Sequence, residues 1–344
     1  MISLNHLFFS FIVSIFISLI CAYYFTKKNF LLDQMSYSSH KKLSYVNSNN
    51  IPLCGGIVIF ISSLFFFNNL LILKIFGFFL LFLGIFSDNN KIQSPKVRIL
   101  LQLFIVIFYI IVSDTVIVDL KITFLNNLLD IKYISIIFTF FCFLILINGT
   151  NFLDGLNTLI AGYYILVLSF LILVSKHNNL LIDANVYYLL TFLIVIYIFN
   201  FFEKIYLGDS GSYLIAFFVG FFVIDFVTKN TFVSPYFIAL LLWYPAFENL
   251  LSIIRRLSYK KKVYKPDQLH LHHLIFKYFI KKKFFNKNFV NSISANSINI
   301  YNFLIFILFY KYIFFTQIML AVIFTNISLY LIIYYFLKKK VQSF

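Results

Sequence analysis

The chain has 344 residues, of which 62% are hydrophobic and only 12% charged, against roughly 25% charged in an average globular protein. That balance excludes a soluble enzyme, and an apolar chain with ten glycines and five prolines is neither disordered nor collagen-like. The formal net charge of +16 raises nucleic acid as a partner, so the location of the charges has to decide.

Apolar runs long enough to cross about 30 Å of hydrocarbon occur at 6–25, 51–67, 70–86, 99–118, 133–149, 158–175, 186–200, 212–228, 233–253, 300–317 and 319–337. The regions 51–86 and 300–337 can each be read as one broken span, so the sequence predicts an all-α polytopic membrane protein of ten or eleven transmembrane helices. The first run lacks a basic leader and a small-residue cleavage site, and reads as a retained helix. Cytoplasmic loops hold the excess Lys and Arg. With the N-terminus outside and the C-terminus cytoplasmic, all but six of the 28 Lys and Arg fall on the inner side. The exceptions are Lys121, Lys132, Lys176 and Lys229 outside, and Lys74 and Lys311 within spans. The basic excess is therefore a topology signal. The run Lys260, Lys261, Lys262 and Lys265 reads as attraction to anionic headgroups, which makes membrane lipids the partner and excludes nucleic acid. Three cysteines, Cys21, Cys54 and Cys142, form no CxxC pair and point to neither a disulfide framework nor a zinc site.

Seven of the ten glycines lie at inner ends of spans, beside polar residues: Gly55, Gly56, Gly84, Gly149, Gly155, Gly208 and Gly211. Glycine lets backbone approach a ligand closely or take positive φ, so these positions are expected to do one or the other, with Gly55-Gly56 also readable as a helix-packing contact. Five polar groups follow in chain order. Ser38-Ser39-His40-Lys41-Lys42 leads to Pro52 and Gly55-Gly56. Ser87-Asp88 leads to Lys96, Arg98 and Gln102. Asn148 to Asn157 contains Asn151 and Asp154. Gly208-Asp209-Ser210-Gly211-Ser212 opens a span. Pro245, Glu248 and Arg255-Arg256 lead to Pro266-Asp267-Gln268-Leu269-His270-Leu271-His272-His273. Polar residues at membrane depth are costly and mark sites, and five groups on one side argue for one shared site built from cytoplasmic loops.

Asp88, Asp154, Asp209 and Asn151 offer hard oxygen ligands suited to Mg²⁺, which keeps waters and bridges phosphates. Lys42, Lys96, Arg255, Arg256 and the histidines offer donors to phosphate oxygens. The mixture is that of a phosphoryl-transfer centre. A secondary transporter would show internal repeats and midplane charges, and neither is seen.

The ordered motifs H-K-K…P-x-x-G-G, G-x-x-x-D, N-x-x-N-F-x-D-G-x-N, G-D-S-G-S and P-D-x-x-H-x-H-H, over about residues 33–275, resemble the polyprenyl-phosphate N-acetylhexosamine-1-phosphate transferases. The resemblance implies a multi-pass enzyme of the inner (plasma) membrane, active on the cytoplasmic side. It would transfer a sugar 1-phosphate from a UDP-N-acetylhexosamine to polyprenyl (undecaprenyl) phosphate, releasing UMP and starting an O-antigen or another cell-envelope glycan. Mg²⁺ is the implied cofactor, with Mn²⁺ as a substitute. A single domain over 1–344 is expected, with flanking helices at about 300–337, and a homodimer is allowed.

By the same resemblance Asp209 and Asn151 hold the metal. Asp88, Asp154, Lys96, His272 and His273 form the catalytic set. Lys42 (or Lys41), Asn157, Asp154, His270 and Arg256 bind the nucleotide sugar, with Asn157 on uracil. The chain departs from the pattern at Ser87, where two adjacent aspartates are usual, at Glu248, where Asp is common, and in a longer spacer from Leu43 to Asn50.

Overall fold

The computed structural model describes residues 3–33, 51–258, 269–285 and 289–342. Their regular elements are the helices α1 (Leu4–Lys28), α2 (Gly55–Phe66), α3 (Leu71–Asp88), α4 (Pro95–Ser113), α5 (Thr123–Leu129), α6 (Lys132–Leu153), α7 (Leu159–Asn178), α8 (Asn185–Phe201), α9 (Gly208–Lys229), α10 (Pro235–Leu241), α11 (Trp243–Ser258), α12 (Leu271–Lys282), α13 (Val290–Phe309) and α14 (Thr316–Gln342). Among the described residues, eight helices are long and apolar enough to cross a membrane. The pair α10 and α11, bent by 72°, is a ninth if read as one broken span, and α2 and α8 are shorter apolar helices. The chain is a multi-pass membrane protein.

Each apolar run contains a helix, with differences that have physical causes. The run 233–253 reads as one straight span, yet it breaks at Leu242. Region 51–86 is two helices, separated by Phe67–Leu70. α13 begins ten residues before its apolar run because its polar residues find partners inside the bundle. Asn291 accepts from the Asn157 backbone N–H at 2.7 Å, and Asn296 accepts from the Tyr197 hydroxyl at 2.9 Å. The short helices α5 and α12 have no counterpart among the apolar runs.

α9 is the centre. Every residue from Ile205 to Gly220 is buried, as expected of a helix that is apolar on all sides, and α2, α3 and α6 pack around it. Small residues set these crossings. A Cβ on Gly84 would lie 2.2 Å from the Ser210 Cα, and one on Gly56 would lie 2.6 Å from the Gly211 nitrogen. A Cβ on Gly149 would meet the Pro245 carbonyl at 2.2 Å. Gly56, Gly84 and Gly149 therefore admit neighbouring backbone, and Gly208 supplies a positive φ. The outer helices turn large apolar side chains outward, such as Phe8 and Phe16 on α1 and Leu100, Phe104 and Phe108 on α4, which suits hydrocarbon as the surrounding solvent.

Candidate active site

The site is built on the first turn of α9. Gly208 enters that turn at φ +70°, against the Asp88 carboxylate. Asp88, the last residue of α3, accepts the backbone N–H groups of Asp209 at 2.8 Å and Ser210 at 3.1 Å. The first N–H groups of a helix have no partner within it and carry its positive end, so a carboxylate is well placed there.

Asp209 is 2% exposed. Its Oδ2 accepts from Ser87 Oγ at 2.5 Å and from Arg98 Nη1 at 2.8 Å, and Arg98 also donates to Ser87 Oγ at 2.8 Å. Taking this ion pair out of water is expensive, and the two donors on one oxygen fix the carboxylate's direction. One turn along α9, Ser212 Oγ donates to Asn151 Oδ1 at 3.2 Å. Asp88, Asp209 and Asn151, drawn from three helices, thus meet at one helix end.

A second network surrounds Asn157, between α6 and α7. Its Nδ2 donates to Glu203 Oε1 at 3.0 Å, while its backbone N–H is held by Asn291. Thr158 follows at φ +70° and donates its N–H to Asn200 Oδ1. The loop residue Tyr206 is 2% exposed. Burial, with Glu203, Asp33 and Asp154 nearby, pushes its hydroxyl pKa up, so it stays protonated. Asp154 lies at the C-terminus of α6, within reach of this group.

The third network is the histidine cluster. Glu248 on α11 is fully buried and accepts from His270 Nδ1 at 2.9 Å, from the Leu271 N–H at 2.9 Å and from the Tyr330 hydroxyl at 2.6 Å. The His270 ring lies 5.4 Å from that of Phe152 and stacks on His272 at 5.5 Å, and the Arg256 guanidinium sits 5.3 Å over Phe152. Phe152, adjacent to Asn151, joins this network to the first. His272 is fully buried, and neither ring nitrogen has a partner among the described residues. Burial, together with His273 and His270, holds its imidazole well below the ordinary value of 6.5.

Of the expected residues, Asp88, Asp209, Asn151, His270, His272, His273 and Arg256 fall in linked networks, and Asp154 and Asn157 lie beside them. Lys96 is exposed on the first turn of α4. Arg98, two residues on, is the cation that reaches Asp209. Lys42, with Lys41 and the Pro266-Asp267-Gln268 segment, lies outside the described residues. Arg98 was visible in sequence as a second basic residue in that first turn. Glu203, Asn291 and Tyr330 carried no local signal, because each acts across a long chain separation.

Among the described residues no group of three or more His, Cys, Asp or Glu could hold a metal ion. The oxygen set of Asp209, Asn151 and Ser212 nevertheless fits a hard divalent cation of the Mg²⁺ kind, which takes one or two carboxylates and completes its shell with water and substrate phosphates.

Residues 70–227 match the model of Glycosyl transferase family 4. The chain is 26% identical over 246 residues to the probable undecaprenyl-phosphate N-acetylglucosaminyl 1-phosphate transferase of Bacillus subtilis (strain 168), covering 68% of each chain. It is 24% identical over 265 residues to the undecaprenyl-phosphate alpha-N-acetylglucosaminyl 1-phosphate transferase of Thermotoga maritima, covering 76% of this chain and 78% of the relative. The Salmonella typhi protein of the same name is 25% identical over 241 residues, covering 66% of this chain and 65% of the relative.

Proposed function

Through residues 70–227 the chain belongs to glycosyl transferase family 4, and we propose that it transfers N-acetylhexosamine 1-phosphate from a UDP-sugar to polyprenyl phosphate. An oxygen of the lipid phosphate bonds to the sugar-linked phosphorus, the bond from that phosphorus to the UMP oxygen breaks, and UMP leaves. The relatives' names specify undecaprenyl phosphate and an N-acetylglucosaminyl 1-phosphate group, which makes these the first substrates to try. The product would begin a cell-envelope glycan such as O-antigen.

The observation that carries this reading is the buried Asp209 at the mouth of α9, with Arg98 and Ser87 on one oxygen and Asn151 one turn away. Asp209 and Asn151 would hold Mg²⁺, or Mn²⁺ in its place, whose charge when bound offsets that of the diphosphate. Arg98 and Ser87 keep the carboxylate aimed. The lipid phosphate is already anionic near neutral pH, so Asp88 need not accept a proton from it, and its cap on α9 holds the Asp209 backbone in place. Arg256 and the histidines supply donors for phosphate oxygens where charge develops in transfer. The ring nitrogens of buried His272, without a partner among the described residues, support that role, since an unsatisfied buried polar group costs about 1–3 kcal/mol and a substrate oxygen would satisfy it. Asn157, held by Glu203 and Asn291, would contact the uracil, and Asp154 and Lys96 would add polar groups beside the substrate; Lys42 keeps only the role that the resemblance gives it, in binding the nucleotide sugar.

The basic excess on one side supports a cytoplasmic position for this end of the bundle, and we read the protein as a single domain in the inner (plasma) membrane. A homodimer is compatible with this reading. The test is a membrane assay with polyprenyl phosphate, Mg²⁺ and a panel of UDP-N-acetylhexosamines, following UMP. Wild type should release UMP, and Asp209→Asn should not while still residing in the membrane. Normal turnover by that variant removes the metal assignment, and UDP-sugar binding without UMP from wild type makes the protein a non-turnover relative.

A further inference from the structure

The last helix lies outside the matched segment and outside the motif-bearing stretch, yet it reaches the histidine cluster. Tyr330 and Tyr334, one turn apart on α14, stack at 6.1 Å and both face the site. Tyr330 donates to Glu248 Oε1 at 2.6 Å, and Tyr334 accepts from Arg255 Nη1 at 3.2 Å. Glu248 uses its other oxygen, Oε2, for the His270 ring and shares Oε1 between Tyr330 and the Leu271 N–H. A carboxylate so deep, 0% exposed, needs every lone pair occupied. With Tyr330 on one oxygen, the plane of the carboxylate is set, and the direction in which it holds the imidazole is set with it. The Nδ1 atom of His270 is then committed to Glu248, which leaves Nε2 as the atom available to a phosphate or sugar oxygen.

We infer that Tyr330 is a positioning residue for the transfer reaction: through Glu248 it fixes the ring of His270, so the terminal helix is part of the working site. The inference rests on the transferase reading, and its experiment separates the two. Full-length protein in detergent is assayed for UMP release, with kcat and KM determined for UDP-sugar and for polyprenyl phosphate. The variants are Tyr330→Phe, Glu248→Gln, both together, and Tyr301→Phe. The last removes another hydrogen bond made to α14, from Tyr301 on α13 to Asn326 at 3.1 Å, and serves as the packing control. In parallel, the rate at which diethyl pyrocarbonate modifies His270 is followed by mass spectrometry.

Tyr330→Phe should lower kcat about tenfold with each KM within about twofold. It should have no further effect on Glu248→Gln, should speed His270 modification severalfold, and Tyr301→Phe should match wild type in all of these. Wild-type kcat in Tyr330→Phe, an additive double variant, or an equal loss in Tyr301→Phe overturns the inference. If Tyr330→Phe does not fold, unchanged His270 modification in Glu248→Gln overturns it as well. If wild type releases no UMP, the transferase reading fails and the role in transfer falls with it. Faster His270 modification in Tyr330→Phe then still supports the hold of Tyr330 on His270 through Glu248, and unchanged modification overturns that too.

Discussion

Asp88 on α3 accepts the backbone N–H groups of Asp209 and Ser210 on α9, so one carboxylate of the site caps the helix that carries the other. Helix caps of this kind contribute about 0.5–2 kcal/mol. Asp88→Ala should lose that amount and let the first turn of α9 fray, lowering the melting temperature and UMP release together. Asp88→Asn keeps an acceptor and should melt near wild type. Complete loss of UMP release in a well-folded Asp88→Asn would assign this carboxylate a chemical role beyond the cap.

Arg98 and Asp209 form an ion pair in which the carboxylate is 3% and the guanidinium 19% exposed. Removing one partner of a buried pair costs about 3–5 kcal/mol, because the other charge is left without compensation. Arg98→Met should therefore melt well below wild type in a chelator. If Asp209 also binds a divalent cation, added Mg²⁺ should recover part of the loss and raise the melting temperature of the variant more than that of wild type. Equal shifts in the two proteins would place the cation elsewhere.

His272 is buried without hydrogen-bond partners among the described residues and held well below its ordinary pKa by that burial, so it is neutral in the fold. An unfolded chain takes up its proton below about pH 6.5. Stability is thus intact above that pH and falls as the medium is acidified through it, by up to about 1.4 kcal/mol per pH unit for one proton. His272→Phe removes the linkage. The melting temperature of wild type should drop more steeply than that of the variant between pH 7 and pH 5. Parallel curves would show that the ring is already charged or solvated in the fold.

The spans were legible because hydrocarbon imposes a length and a composition that a sequence cannot hide. The bend at Leu242 was not, since 233–253 is apolar through the break and the 72° turn depends on what α10 and α11 pack against. In the site, chemistry was legible by residue type: Asp88, Asp209 and Asn151 do converge on one helix end. Their partners were not. Ser87 looked like the loss of an acid, whereas its hydroxyl donates to Asp209. Arg98 shares a polar group with Asp88 in the sequence, which assigns it no role, and it is the counter-ion of the Asp209 carboxylate. Asn291 and Tyr330 sit more than 80 residues from the groups they hold, and no local pattern encodes such a pairing. The glycines show the same limit: sequence shows that space or a positive φ is required, and only the fold shows that Gly208 takes the positive φ while neighbouring helices take the space at Gly56, Gly84 and Gly149.

Thr158 opens α7 at φ +70°, a conformation that costs an L-residue about 1–2 kcal/mol and is least tolerated by β-branched side chains. Its N–H is held by Asn200, its carbonyl accepts from Asn299 Nδ2 at 3.4 Å, and its own hydroxyl donates to the Asn157 carbonyl. The backbone is thus pinned by partners that any residue could use, and only the hydroxyl bond belongs to threonine. Thr158→Gly relieves the strain but gives up that bond, worth about 0.5–1.5 kcal/mol, and adds about 0.5–1 kcal/mol of backbone entropy to be lost on folding. These terms nearly cancel, so the glycine variant should melt close to wild type. Thr158→Val keeps the branched side chain and the strain while losing the hydroxyl, and should melt below both. Thermal unfolding of the three proteins in one detergent checks the order. A valine variant as stable as wild type would mean that the hydroxyl contributes nothing, and a glycine variant far below it would mean that the threonine side chain, through packing, outweighs the strain it carries.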